Sequence, residues 1–398
     1  MTKIYELENI IQDYAWGDKN ALKELFGIEN PDSKPQAEIW MGAHPKAPSM
    51  VIDGGNRISL IDFVDNDPDS VLGGKVSADF SGKLPFLFKV LCAGEPLSIQ
   101  SHPSLEQAKI GYAKDDAAGI DLSAFNRNYK DDNHKPELIC ALTPFKAMNG
   151  FREISEIIAL LEELNLDSVK EALAELTANP NKEGLKKFYT WMMSLEKSDV
   201  MALTAEAITA CEGKKGNQAF DTLIFLNTFY ANDIGIMCAI MLNVVDLEPG
   251  QAMYLDAGEL HAYIQGTGME IMANSDNVLR GGLTPKYVDV PELLSTLSFN
   301  SGKVKILTPQ PTSLACESMY STPVPEFDFS VIEVSGNEFV SATERTVEIL
   351  FCGKGKGIIT VDGSDVVLSP GKSYLVPASV SYYSITGDVT VFKGNVPA

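Results

Sequence analysis

The sequence predicts a mainly β protein: two jelly-roll barrels with an α-helical insertion domain. Three observations carry this. Short apolar runs bounded by Gly, Pro, Asn and Asp fill residues 1–150 and return after 238, at the spacing of a sandwich or barrel. Between them the rhythm becomes helical. One turn–strand–turn unit also recurs at a fixed offset.

In order along the chain, residues 84–91 and 138–142 read as strands between turn residues. After Phe151, the apolar positions Ile154, Ile157, Ile158, Leu161 and Leu164 follow the i, i+3, i+4 stripe of an amphipathic helix. Helical pattern continues through 169–176, 186–195 and 200–211. Strand character resumes at 238–247, and the chain then alternates through 347–351, 357–361, 373–376 and 389–393. The repeat runs from Leu247-Glu248-Pro249-Gly250 to His261 and from Leu368-Ser369-Pro370-Gly371 to Tyr382, an offset of 121 residues throughout. It predicts two related barrels, only the first keeping a metal-capable residue. The expected division is therefore 1–150 plus 235–320 as a site-bearing barrel, 151–234 as the helical insertion, and 321–398 as a metal-free barrel.

A net charge of −22 over 398 residues excludes a broad nucleic-acid surface or a partner of anionic lipid. The most apolar stretch, 234–245, is shorter than the roughly 20 residues that span a bilayer. The start lacks a secretory leader pattern, and six cysteines without a close pair fit buried thiols in a reducing cytoplasm. The expected setting is cytoplasmic, with neither nucleic acid nor membrane as partner.

The four histidines are His44, His102, His134 and His261. On a strand through 98–102, Ser98, Gln100 and His102 share a face, because side chains two apart point the same way. Glu137 follows Pro136 into another strand, and His261 stands two before Tyr263. Two imidazoles, a carboxylate and an amide oxygen make a divalent-metal set, with the nitrogens favouring zinc. Arg280 precedes two glycines, and Lys286 follows six residues later; a guanidinium fork and an ammonium across one loop suit a phosphate. Within 241–300 these are the only Lys or Arg.

With these residues assembled, the chain resembles the type I mannose-6-phosphate isomerases, zinc-dependent cupin enzymes. The resemblance rests on Tyr14 to Gly17, Ala37 to Pro45, Leu84 to Lys89, Leu97 to Pro103, Asn133 to Glu137 and Asn274 to Lys286. It implies two cupin-type barrels and one zinc ion per chain on Gln100, His102, Glu137 and His261. Arg280 would be the active-site arginine. Ser98, Lys135, Tyr263, Glu270, Asp276 and Lys286 would line the sugar-phosphate pocket, with Trp16 and Glu38 closing one side. The implied reaction is the reversible isomerisation of mannose 6-phosphate and fructose 6-phosphate through an enediol, by a monomer. Lys135 and His134 are the candidates to carry the proton, with Glu270 as a rival base. The alternatives are another cupin metalloenzyme, such as a sugar-phosphate isomerase of different specificity, or a non-catalytic sugar-phosphate binding protein.

Overall fold

The computed structural model describes residues 3–398, folded as two large antiparallel sheets flanked by helices. The first sheet runs in space as Leu242–Leu247, Phe145–Phe151, His261–Ala273, Phe86–Ala93, Glu38–Gly42 and Ile10–Gln12. Four shorter strands, Ile99–Ser101, Glu137–Ala141, Ala252–Leu255 and Leu279–Gly282, join it around the long strand His261–Ala273. The second sheet holds the C-terminal strands. Neither sheet closes on itself, so the two expected jelly rolls are two open sheets rather than sealed barrels.

Strand Phe86–Ala93 is apolar almost throughout because both of its faces are buried. Phe86, Phe88, Val90 and Cys92 turn toward the second sheet, where they meet Phe329, Phe351 and Phe392 in a shared core. Leu87 and Lys89, on the alternate face, line a cavity. The same alternation sends Leu138 and Cys140 into the shared core, and Ile139 and Ala141 into a separate cluster on the other side.

The long strand His261–Ala273 changes parity along its length. Its first half pairs with Phe145–Phe151, its second with Phe86–Ala93 and Glu137–Ala141. Between them the register slips, Tyr263 facing Ala147 and Gln265 facing Lys146. Before the slip, Ala262 and Ile264 pack on the helical layer while Tyr263 belongs to the cluster around Ile139. After it, Met269 and Ile271 enter the shared core, leaving Glu270 on the opposite face. One extra residue thus lets His261 and Tyr263, at odd positions, face the same interior as Glu270, at an even one.

The repeat read from the sequence has a structural counterpart. Leu242–Leu247, Ala252–Leu255 and His261–Ala273 correspond to Ser364–Leu368, Ser373–Val376 and Ser384–Asn395, with Gly250 and Gly371 both at positive φ in the connecting turns. Tyr382, the counterpart of His261, is 51% exposed in the loop before its strand. The division at 150 and 321 does not separate the sheets: Tyr5–Glu8, Met50–Asp53 and Asn56–Ser59 pair into the C-terminal one, beginning with Tyr5 opposite Leu375.

Five helices, Ile154–Leu164, Lys170–Ala178, Lys182–Met193, Lys197–Glu212 and Gln218–Asn227, fill the expected insertion. Ile157, Leu161 and Leu164 are their buried stripe, packed against Met148, Leu260 and Ile264 of the first sheet. Residues 238–241, read as strand, instead form a short helix Cys238–Met241 ahead of strand Leu242–Leu247. Helices in the first 150 residues went unread: Ala21–Phe26, Leu60–Asn66, Pro68–Leu72, Gly74–Asp79 and Leu105–Ala117. The last has no apolar stripe, burying Ala108, Gly111 and Asp115 instead. Its one sequence signal is the reciprocal cap between Ser104 and Gln107.

At the parity change, Gly266 has φ +120°, and a Cβ there would lie 2.6 Å from the Pro144 carbonyl oxygen. Gly266→Ala should therefore destabilise the protein by about 2–4 kcal/mol, read as a fall of several degrees in melting temperature. An unchanged melting temperature would show that the bend tolerates a side chain.

Candidate active site and metal centre

Glu137, at the start of its strand and 3% exposed, is the hub of a buried polar cluster. His102 Nε2 lies 3.4 Å from its Oε1 and His261 Nε2 lies 3.5 Å from its Oε2. Lys135 Nζ lies 3.0 Å from Oε1. Gln100 is the cross-strand partner of both His261 and Arg280, which puts the amide beside the two histidines.

This donor set fits a metal. The three ligand atoms of His102, Glu137 and His261 lie within 4.8 Å of one another. A tetrahedral ion with bonds of ~2.1 Å separates its ligands by ~3.4 Å, close to the spacing seen. The Nδ1 of His102 donates to the Asn277 carbonyl at 2.7 Å, and that of His261 donates to the Glu259 carbonyl at 3.0 Å. Each ring therefore carries its proton on Nδ1 and presents the Nε2 lone pair, the arrangement that orients metal-binding imidazoles. His102 Nε2 is buried without a hydrogen-bond partner, as expected of an atom reserved for a ligand. Burial lowers the His102 pKa to about 4, keeping the ring neutral. Burial works against the Glu137 charge, but Lys135 outweighs it and holds its carboxyl well below the usual range.

Beside the cluster opens a cavity of about 490 Å³ lined by Trp16, Glu38, Ser98, Gln100, Lys135, Asp276, Arg280 and Lys286, among others. Arg280 and Lys286 are its unclaimed cations: among the described residues neither side chain has an ion pair or hydrogen bond. Burial lowers the pKa of both, and Arg280 adds to the effect on Lys286. Asp276 is held instead by Lys46 at 2.9 Å and His44 at 3.5 Å.

Two expected pocket residues and one proton-carrier candidate stand, like His102, Glu137 and His261, off the cavity lining. Tyr263 and Glu270 are buried behind the cavity wall, the tyrosine donating to Glu270 at 2.9 Å. His134 also lies off the cavity lining: its Nε2 is 2.6 Å from Glu326 Oε1, a residue nearly 200 positions on that a local reading of 133–137 has no means to anticipate.

Several functional residues went unassigned from sequence. Lys89 is 5% exposed, with Nζ 2.8 Å from Glu270 and 3.6 Å from Glu38. Burial opposes its charge, but Glu270, Glu38 and Glu137 overcome that and raise its pKa above the ordinary lysine range. Burial also raises Glu270, against the pull of Lys89. Trp40, opposite Lys89 in the sheet, donates its indole N–H to Glu38 at 2.7 Å. The signal was a lone lysine inside an apolar strand, which burial permits only with a partner. Asn277 is the other omission: fully buried, its side chain holds the backbone at Lys130, Asp131 and Asn133 while its carbonyl orients His102.

Comparison with known proteins agrees with this geometry. Residues 4–154 match phosphomannose isomerase type I, catalytic domain, and 317–394 match the mannose-6-phosphate isomerase cupin domain. Mannose-6-phosphate isomerase of Escherichia coli (strain K12) is 44% identical over 386 residues, 96% of this chain and 97% of that protein. The chain belongs to the type I phosphomannose isomerases. The human mannose-6-phosphate isomerase is 34% identical across 94% of this chain and 91% of its own length. Among solved structures of the family, the Salmonella typhimurium enzyme bound to fructose 6-phosphate and zinc superposes with a TM-score of 0.93 at 40% identity, covering 99% of this chain and 100% of that one. The match extends across the helical insertion and both sheets, so the phosphomannose isomerase architecture is retained over the whole described chain.

Two outcomes follow from the buried charges. Lys89→Met leaves Glu270 and Glu38 without their cation and should cost about 3–5 kcal/mol in denaturant unfolding. The double variant with Glu270→Gln should recover part of that loss, and no recovery would break the proposed pairing. Burial lowers the His44 pKa from 6.5 to about 4, against the attraction of Asp276. Between those values the unfolded chain binds a proton that the folded one refuses, so stability falls as pH drops through this window. In His44→Gln the decline should be shallower; equal slopes in urea titrations would remove His44 from the balance.

Proposed function

We propose that this chain interconverts mannose 6-phosphate and fructose 6-phosphate with one zinc ion held by Gln100, His102, Glu137 and His261. The observation that carries the reading is the buried His102–Glu137–His261 set beside a cavity whose Arg280 and Lys286 have no internal partner. Lys286, exposed at the cavity mouth, meets the phosphate, and Ser98 adds a hydroxyl to the wall. Arg280, deeper in the wall, stabilises the negative charge that develops as the proton leaves C2. Lys135 Nζ lines the cavity and, in its neutral form, is the base that moves this proton between C2 and C1. Zinc, when bound, polarises the sugar's carbonyl and hydroxyl oxygens as a Lewis acid. Trp16 and Glu38 close the cavity wall around the open-chain sugar, and Asp276, fixed by Lys46 and His44, offers it a hydroxyl acceptor.

The setting proposed is a cytoplasmic monomer. In support of the compartment, all six cysteines are free thiols. No helix among the described residues is long and apolar enough to cross a membrane.

The test is a coupled assay with mannose 6-phosphate. Chelation should abolish turnover and added zinc restore it; activity in metal-free protein would refute the metal's role. Arg280→Ala should lower kcat by about 10²-fold or more with zinc content unchanged. Normal turnover in that variant would remove Arg280 from the chemistry.

A further inference from the structure

A second cavity, of about 530 Å³, lies on the other side of the metal centre and shares no lining residue with the first. Strand His261–Ala273 is the partition. At His261 its neighbour on one side is Gln100, which lines the substrate cavity, and on the other Asn149, which lines the second.

The second cavity is built from polar groups. Asn149 is 2% exposed, and its Oδ1 is buried without any hydrogen-bond partner among the described residues. Such an acceptor is costly to bury unless something donates to it. Asp256 and Glu259 add carboxylates to the lining. Lys303 and Lys305 are exposed on the opposite loop and make no ion pair among the described residues. The walls are preformed: Asn243 Nδ2 donates to the carbonyls of Asn149 and Gly302, at 3.2 and 2.9 Å, tying that loop to the sheet.

We propose that this cavity is a second small-molecule site for a phosphorylated polyol. Hydroxyls of the ligand donate to Asn149 Oδ1 and to the Asp256 and Glu259 carboxylates, and its phosphate meets Lys303 and Lys305. Neither a purely anionic nor an apolar ligand satisfies both walls, since one is acidic and the other basic. The site stands one hydrogen bond from the metal centre, because the backbone carbonyl of Glu259 is the group that orients His261.

The experiment is calorimetric titration of the zinc-loaded protein with glucitol 6-phosphate, which has no carbonyl to isomerise. Two sites are expected. Arg280→Ala should weaken one of them. Lys303→Ser with Lys305→Ser should weaken the other by about tenfold or more while leaving turnover of mannose 6-phosphate unchanged. A single site in the unaltered protein, or two that ignore the lysine pair, would overturn the proposal. Inorganic phosphate lacks the hydroxyls and should bind the lysine-dependent site at least about tenfold more weakly; equal affinity would reduce it to an anion patch and overturn the polyol assignment. Failure of the isomerase reading would instead remove the Arg280-dependent site and leave the lysine-dependent one.

Discussion

Three carboxylates buried on one face of one sheet set the terms for everything around them. Glu38, Glu137 and Glu270 are 6%, 3% and 2% exposed, and uncompensated charge at that depth would cost several kcal/mol per group. Two arrangements answer them. Glu270 shares Lys89 with Glu38 and takes a hydroxyl from Tyr263. Glu137 has Lys135 on one side and two imidazoles on the other. The network is complete except where a metal and a substrate belong. Its unsatisfied atoms, His102 Nε2 and the free cations at the cavity wall, therefore mark the functional site.

That network exists only because the long strand carries an extra residue at its middle. Without the slip near Gln265, either His261 and Tyr263 or Glu270 would face away from the interior, and the tyrosine would not reach Glu270. A local irregularity in hydrogen bonding thus brings together side chains whose positions in sequence differ in parity. The same strand's counterpart in the second sheet, Ser384–Asn395, begins after an exposed Tyr382.

The cluster of His102, Glu137 and His261 was legible in sequence because histidine is scarce in this chain and strand periodicity is simple. Gln100 and His102 need only a period of two to share a face, and the 121-residue repeat set His261 apart from its counterpart Tyr382. The helical insertion was legible because its stripe is strongly apolar. Lys89 was harder: its neighbours are apolar on both sides, so its role depends on Glu38 and Glu270, which reach it only through sheet pairing. The partner of His134 was hidden for the same reason, since Glu326 reaches it from nearly 200 positions further along the chain. Helix Leu105–Ala117 hid because it packs through small residues, leaving capping as its signature.

Strand Tyr5–Glu8, set between Met50–Asp53 and Ser373–Val376, has a consequence for synthesis. A ribosome produces it some 365 residues before the strand that pairs with one of its two edges. Until then the hairpin of Met50–Asp53 and Asn56–Ser59 protects one edge and the other stays open, a template for mispairing during translation. The charges on this strand, Glu6 and Glu8, are suited to discourage such pairing between nascent chains, and Glu6 later finds Lys372 when the sheet is completed. The acidity of this segment thus has a use before the sheet is complete: it keeps the strand's open edge unpaired until Ser373–Val376 arrives.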